Sequence, residues 1–154
     1  MRIKGYVKAL LKGLEGDGPI RKVIATCKHY AAYDLERWQG VVRYGFNAIV
    51  STQDLAEYYL PPFQQCARDS NVGSIMCSYN ALNGTPACSS PYLMEDILRK
   101  HWGWTEHNQY ITSDCNAIWG KCLSYLPTAA LLGPSTQSKT NSRRRLLTLS
   151  AGGT

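Results

Sequence analysis

The chain has 154 residues, of which 44% are hydrophobic, and this is the size and composition of one globular domain rather than of a disordered chain. No apolar run approaches the ~20 residues of a membrane-spanning helix, and the basic, amphipathic N-terminus lacks the pattern of a secretion signal. The net charge of +6 comes mainly from residues 119–154, which carry five Lys/Arg and no acid; without interleaved aromatic residues or a reading module, they do not indicate a nucleic-acid partner.

The first part of the chain predicts a helix followed by a buried strand. Apolar residues recur at helical spacing over residues 3–14, and the Gly-Asp-Gly-Pro sequence at 16–19 ends that pattern. The run Lys-Val-Ile-Ala-Thr-Cys at 22–27 is short, apolar and β-branched, as in a buried strand. We therefore expect the polar pair Lys28 and His29 at the C-terminal end of this strand.

The middle of the chain predicts a helical layer and a second strand. Ser51 is a suitable N-cap for a helix over 55–59, and a Pro-Pro pair suits the first turn of a further helix over 61–67. Residues 73–79 are the second predicted strand, and the loop at 80–86 that follows contains an Asn-Gly turn.

The next part predicts one more helix and one more strand. Helical spacing extends over residues 91–101 and closes at Gly103, and the apolar residues 110–113 form a strand that runs into Asp114. Alternating strands and helices predict a parallel α/β fold, in which functional side chains collect at the carboxyl ends of the strands. A barrel and an open doubly wound sheet both fit this pattern, although no glycine-rich phosphate-binding loop occurs.

The six cysteines have neither a CxxC pair nor the Cys/His spacing of a zinc site, so we expect no metal. Their spacing leaves two interpretations open, buried thiols or the disulfides of an extracytoplasmic protein. The sequon Asn83-Gly84-Thr85 favours secretion only slightly, because an unused Asn-Gly turn explains it equally well.

Four sequence segments together resemble family 3 glycoside hydrolases, and they occur in the same order. The segments are Lys-Val-Ile-Ala-Thr-Cys-Lys-His-Tyr at 22–30, Leu-Pro-Pro-Phe at 60–63, Ser-Ile-Met-Cys-Ser-Tyr-Asn at 74–80 followed by Asn83-Gly84, and Thr-Ser-Asp-Cys at 112–115. Cys115 resembles the β-xylosidase branch, because the β-glucosidase branch typically has Trp there. The resemblance implies a retaining β-xylosidase that releases xylose from non-reducing ends of xylo-oligosaccharides without a cofactor; a β-glucosidase is the alternative.

The resemblance also implies roles for five residues. Asp114 would be the catalytic nucleophile, Lys28 and His29 would bind sugar hydroxyls, and Met76 and Tyr79 would line the same pocket, with Tyr79 touching the nucleophile. Taken singly, four of the five have a structural alternative: a helix N-cap for the aspartate, a surface lysine beside a structural histidine, and core packing for the methionine. A lysine near a buried rim is costly without a partner, which favours the functional interpretation. Glu36 is interpreted as a solvated loop carboxylate.

The resemblance covers residues 3–118 and implies about three strand-helix units of a (β/α)₈ barrel. We therefore predict a partial barrel domain over residues 1–118 and an irregular, divergent, disordered basic tail over 119–154. The acid/base glutamate of the family would lie outside this chain, so the chain alone is expected to be weakly active or inactive; a non-catalytic truncated fragment is the alternative. The parent protein would be secreted, and its oligomeric state is left open.

Overall fold

The computed structural model describes residues 2–118, and the predicted basic tail at 119–154 lies outside them. Four α- or π-helical segments occur in this part of the chain, besides two 3₁₀ turns at Arg43–Gly45 and Ala87–Ser89. They are α1 (Arg2–Glu15), α2 (Thr52–Asp54, continued by the π-helical Leu55–Tyr59), α3 (Pro61–Gln64, continued by the π-helical Gln65–Asp69) and α4 (the π-helical Tyr92–His101). The predicted cap of α2 is confirmed, because the hydroxyl of Ser51 accepts a hydrogen bond from the Asp54 amide.

The described strands are short and fall into three sheets. They are β1 (Thr26–Tyr30), β2 (Arg37–Trp38), β3 (Val41–Val42), β4 (Asn47–Ala48), β5 (Ser74–Cys77), β6 (Ala81–Leu82), β7 (Thr85–Pro86) and β8 (Tyr110–Ser113). The central sheet has the order β1-β5-β8 and is parallel throughout. The predicted parallel α/β fold is thus confirmed for the described residues, with α2 and α3 between the first pair of strands and α4 between the second.

The first central strand begins later than the sequence predicts. It was expected over 22–27, but pairing starts where Thr26 lies opposite Ser74, and Val23 and Ile24 remain about half exposed. An apolar side chain that stays in solvent contributes little hydrophobic free energy to strand formation. The hydrophobic run at 22–27 therefore did not locate the start of the strand. Lys28 and His29, which were expected at the C-terminal end of the strand, are the third and fourth of its five residues.

Two hairpins flank the carboxyl end of the central sheet. In the β6–β7 hairpin the turn residues Asn83 and Gly84 both have positive φ, so the predicted Asn-Gly turn is confirmed. The β2–β3 hairpin turns through Gln39 and Gly40, which also have positive φ. Nothing in the predicted elements anticipated this second hairpin.

The core lies between the central sheet and its helices. Tyr30 and Ile75 from the strands pack with Leu93 and Leu98 of α4, and all four are fully buried. Trp104 is also buried, and its indole N–H donates to the Val72 carbonyl at 2.7 Å. No helix within residues 2–118 is long and apolar enough to cross a membrane.

Two disulfides cross-link the sheet to its surroundings. Cys27 of β1 is bonded to Cys66 of α3, and Cys77 of β5 is bonded to Cys88 in the turn after β7. The sequence left thiols and disulfides open, and the structure decides for disulfides at these four positions. Cys115 is a free, exposed thiol.

Glu15, at the end of α1, joins that helix to the central sheet. Its carboxylate is buried, and Oε1 accepts hydrogen bonds from the amides of Ala25 and Gly73 at 2.9 and 3.0 Å. Oε2 lies 3.2 Å from Nε of Arg21. This one side chain therefore satisfies backbone donors on both sides of the β1–β5 pair.

We expect Glu15→Ala to lower the free energy of unfolding of the chain by about 2–4 kcal/mol, because it leaves two backbone N–H groups without their acceptor. Glu15→Gln is the matched control: it keeps an oxygen at Oε1, so a smaller loss is expected. Urea denaturation followed by circular dichroism measures both. Equal losses for the two variants would contradict the assignment of the effect to these amides.

Candidate active site

Three of the predicted site residues meet at the shared carboxyl end of the central strands. His29 comes from β1, Tyr79 follows β5, and Asp114 follows β8. The Nε2 atom of His29 lies 3.1 Å from Oδ2 of Asp114, although β5 separates their strands. Tyr79 is 3% exposed and its phenol hydrogen-bonds with Asp114. The carboxylate is thus flanked by an imidazole and a phenol.

The strand pairing of β1 shifts by one residue at His29, as in a β-bulge. Cys27 pairs with Ile75, but Tyr30 pairs with Cys77, so β1 has one residue more than its partner over this stretch. The extra residue interrupts the ladder beside the site, and such bulges commonly redirect a side chain next to an active site. The Lys28–His29 and Tyr30–Ala31 peptide bonds within and after the bulge are cis.

Asp114 is fixed by its own backbone and by one of its carboxylate oxygens. Its amide donates to the carbonyl of Cys77 at 3.4 Å, which extends the β5–β8 ladder by one bond. Oδ1 accepts a hydrogen bond from the Cys115 amide at 2.7 Å. Oδ2 faces His29, and the side chain is only 16% exposed. A carboxylate held in this way has a defined direction toward the strand-end surface.

Burial raises the pKa of Tyr79 well above its ordinary value, and the hydrogen bond with Asp114 raises this pKa further. The phenol therefore stays protonated at neutral pH and donates to the carboxylate. A neutral donor beside Asp114 stabilises the carboxylate's position without adding a second negative charge.

The pKa of His29 is lowered from its ordinary value of 6.5, first by burial and then by the positive charge of Lys28. The negative charge of Asp114 acts in the opposite direction and raises it. Above pH 6.5 the imidazole is neutral, and the tautomer with its proton on Nε2 donates to Oδ2 of Asp114.

We expect the His29 imidazole to titrate below pH 6.5 in the folded chain, and Asp114→Asn to lower its midpoint further by removing the charge that raises it. A lowered pKa means that, below pH 6.5, the folded state binds fewer protons at His29 than the unfolded state does. The free energy of unfolding is therefore expected to decrease as pH falls below 6.5. NMR titration of the imidazole C2 proton measures the midpoints. A midpoint that rises in Asp114→Asn would contradict this account of the site.

The two remaining predicted site residues are placed differently. Lys28 is exposed, so the desolvation cost expected of a lysine at a buried rim does not apply to it; its adjacency to His29 is its connection to the site. Met76 is half-buried in β5 and pairs with Thr112 of β8. The structure brings His29, Tyr79 and Asp114 into contact and leaves the roles of Lys28 and Met76 as predictions.

A second group of side chains beside the site was missed by the sequence prediction. Arg43 lies over the Tyr79 ring, with Cζ 4.1 Å from the ring centroid, and Tyr44 packs edge-on against the same ring at 4.9 Å. Tyr33 packs edge-on against His29, with 5.1 Å between the ring centroids. Glu36 binds both Arg43 and Tyr33, and its side chain remains 68% exposed, so it is a solvated loop carboxylate, as expected, that also takes part in this group. Glu36 and Arg43 lie on either side of the Gln39-Gly40 turn, and this spacing could have predicted an ion pair across a hairpin.

Within residues 2–118, no group of three or more His, Cys, Asp or Glu side chains is arranged to hold a metal ion. What the site presents is an oriented carboxylate, a phenol donor, an imidazole and adjacent aromatic rings. This set suits proton transfer or attack by a carboxylate on a polar, hydroxylated substrate.

Comparisons with known proteins agree with this chemistry. The model of the glycosyl hydrolase family 3 N-terminal domain matches residues 2–127. The chain is 62% identical over 120 residues to the probable exo-1,4-beta-xylosidase bxlB of Aspergillus fumigatus, covering 77% of this chain and 16% of the relative. It is 59% identical over 114 residues to exo-1,4-beta-xylosidase bxlB of Emericella nidulans, covering 73% and 15%.

Solved structures give the same result. A GH3 exo-beta-xylosidase, XlnD, in complex with a xylobiose aziridine activity based probe has a TM-score of 0.75 and 38% identity, covering 79% of this chain and 16% of that one. A beta-glucosidase from Kluyveromyces marxianus in complex with glucose has a TM-score of 0.61 and 35% identity, covering 71% and 12%. The chain thus spans about one sixth of the length of the curated relatives named above. By this match over most of its length, the chain belongs to glycosyl hydrolase family 3 and corresponds to part of that family's N-terminal domain.

Proposed function

We propose that this chain is the nucleophile-bearing segment of a retaining exo-β-xylosidase that acts on xylo-oligosaccharides. The observation that carries the proposal is the Asp114 carboxylate, directed by His29 and Tyr79 at the carboxyl end of a parallel sheet. Its support from relatives is the exo-1,4-beta-xylosidase name that they bear at 62% and 59% identity.

In the proposed reaction, Oδ2 of Asp114 attacks the anomeric carbon of the terminal sugar and the bond to the leaving-group oxygen breaks. A carboxylic acid from outside residues 2–118 protonates that oxygen. Water then attacks the glycosyl-enzyme ester, the same outside group removes the water proton, and xylose leaves with its configuration retained. His29 and Tyr79 hold the carboxylate through both steps, and Lys28 and Met76 line the sugar pocket.

We further propose that residues 1–118 form part of a (β/α)₈ barrel, with 119–154 as a separate basic tail. Two features support the barrel: the strand-helix alternation, and the contact of His29 with Asp114 across the end of β5. Neighbouring strands are about 4.8 Å apart, so side chains of the two outer strands meet most easily on a concave sheet. The two disulfides support secretion of the parent protein into an oxidising compartment.

A full-length chimera tests the activity. In it, the matching segment of the Aspergillus fumigatus relative is replaced by that of this chain, so that every other part of the enzyme is constant. We expect it to hydrolyse 4-nitrophenyl β-xyloside, and the 154-residue chain alone to be weakly active or inactive, because it spans only 16% of the relative's length. A folded chimera without activity would overturn the proposal.

A β-glucosidase is the second candidate, because solved β-glucosidases share this fold at 35% identity. Cys115 beside the nucleophile favours the xylosidase, since the resemblance implies Trp there in the β-glucosidase branch. Comparing kcat/KM for the xyloside and the glucoside decides between them. Faster glucoside cleavage by the chimera would make the β-glucosidase the better assignment.

A further inference from the structure

The loop between β1 and β4 carries a group of side chains that we call the arginine cluster, formed by Arg43, Glu36, Tyr33 and Tyr44. Arg43 is held by its backbone and by its guanidinium. Its amide donates to the Glu36 carbonyl at 3.0 Å, and Nη1 lies 3.1 Å from Oε1 of the same residue. Nη2 donates to the Tyr44 hydroxyl at 3.3 Å. These bonds hold the guanidinium over the ring of Tyr79, with Cζ 4.1 Å from the ring centroid.

The cluster touches both side chains that flank the nucleophile. On one side, Arg43 covers the ring of Tyr79, whose phenol hydrogen-bonds with Asp114. On the other side, Tyr33 packs edge-on against His29, and its hydroxyl donates to Oε2 of Glu36. Glu36 uses one oxygen for each partner and so connects the two supports, which also meet directly because the Tyr33 and Tyr79 rings lie 5.7 Å apart.

We propose that Arg43 is a positioning residue of the active site, which holds Tyr79 against Asp114 directly and holds His29 there through Glu36 and Tyr33. The inference rests on the proposed function, in which Asp114 is the nucleophile. Within residues 2–118, Arg43 forms no hydrogen bond or ion pair with His29 or Asp114; it acts through the side chains that contact them.

The chemistry of arginine suits this task better than that of lysine. A planar guanidinium stacks flat on an aromatic ring and still forms in-plane hydrogen bonds at its edges, whereas an ammonium group on a flexible stem fixes neither direction. Tyr79 has its phenol and its ring face engaged by different partners. Removing the cation takes away one of the contacts that hold the ring, beside those of Tyr44 and Tyr33, and a displacement of about 1 Å near reacting groups can lower the rate about 10²-fold.

The first measurement uses the full-length chimera. Arg43→Met is expected to lower kcat for the xyloside by about 10²-fold with little change in KM. The substitution disturbs the alignment of the reacting carboxylate, whereas the contacts that bind the sugar are kept. Arg43→Lys is expected to restore part of the loss. Arg37→Met removes an exposed arginine from the same hairpin and is expected to leave kcat unchanged. An Arg43→Met variant with parental kcat overturns the proposal.

The second measurement does not depend on activity. Among residues 2–118, the charges that act on His29 are those of Lys28, Asp114, Arg43 and Glu36. Arg43 lowers the pKa of His29 and Glu36 raises it, so Arg43→Met is expected to raise the NMR midpoint and Glu36→Gln to lower it. Arg37→Met is expected to leave it in place. Midpoints that do not move in either variant overturn the proposal.

The two measurements separate the failure of this inference from that of the proposed function. A chimera that is inactive before any substitution contradicts the proposed function, while the His29 midpoints still test the cluster. An active chimera with insensitive midpoints contradicts only the role of Arg43. If Arg43→Met does not fold by circular dichroism, the exposed Glu36→Gln variant tests the same connection, with a smaller loss of kcat and a lowered midpoint expected.

Discussion

Asp114→Asn in the full-length chimera is expected to lower kcat/KM for 4-nitrophenyl β-xyloside by about 10⁴-fold or more, the scale seen when an enzyme loses its nucleophile. The amide keeps an oxygen for the Cys115 N–H, so the local fold should survive. It cannot form the glycosyl ester, because a neutral amide is a poor nucleophile. Initial rates at several substrate concentrations measure the loss.

Two controls separate this chemical loss from a structural one. Asp17→Asn changes an exposed carboxylate that pairs with Lys12, and its activity should equal that of the parent. In Asp114→Gly, azide should restore turnover and give the α-configured xylosyl azide, because azide attacks from the face that the carboxylate leaves open. Parental activity in Asp114→Asn would assign the nucleophile to another residue.

Removal of the Cys27–Cys66 disulfide, by alanine at both positions, is expected to lower the free energy of unfolding of the chain by roughly 3–4 kcal/mol. The bond closes a sequence separation of 39 residues, so its loss returns much conformational freedom to the unfolded chain. It also joins β1 to α3, which makes it one of the covalent supports of the strand that carries His29. Urea denaturation followed by circular dichroism measures the change.

The Cys77–Cys88 disulfide is the matched comparison, because it closes a separation of only 11 residues. Its removal is expected to cost about 1 kcal/mol less than removal of the longer loop's disulfide, if loop closure dominates. Cys115→Ala changes a free, exposed thiol and should leave stability unchanged. A larger loss for the shorter loop would show that local packing around β5 outweighs loop closure.

The central elements of the fold were predictable because their signals are local. The helix of residues 2–15 has a repeating apolar face and ends at Gly16, which has positive φ. The strand before Asp114 was predicted with its observed bounds, Tyr110–Ser113. In both elements, the spacing of the apolar residues and the residues that break the pattern predict the same bounds, and tertiary pairing does not change them.

The start of β1 was not predictable in the same way. Residues 22–25 have strand-like side chains, but the ladder begins only at Thr26 and then contains a bulge. Where a strand finds its partner depends on the register of another segment about fifty residues away, and a one-residue bulge leaves no mark on hydrophobic spacing. His29 lies within this bulge.

The candidate site was predictable as a set of residue types and not as a geometry. Family resemblance identified His29, Tyr79 and Asp114, but their contacts depend on the order of strands in the sheet. The arginine cluster was missed because Gln39-Gly40 is a weak turn signal between two strands of only two residues each. Cysteine pairing was likewise undetermined, since spacing does not state which strands are neighbours.

Identification of the residue that forms the covalent intermediate tests the central claim most directly. The full-length chimera is incubated with a xylose-configured aziridine, which traps the nucleophile as an ester, and its peptides are sequenced by mass spectrometry. The account predicts a single adduct on Asp114, absent in Asp114→Asn. An adduct on any other carboxylate, in this segment or elsewhere in the chimera, would contradict it.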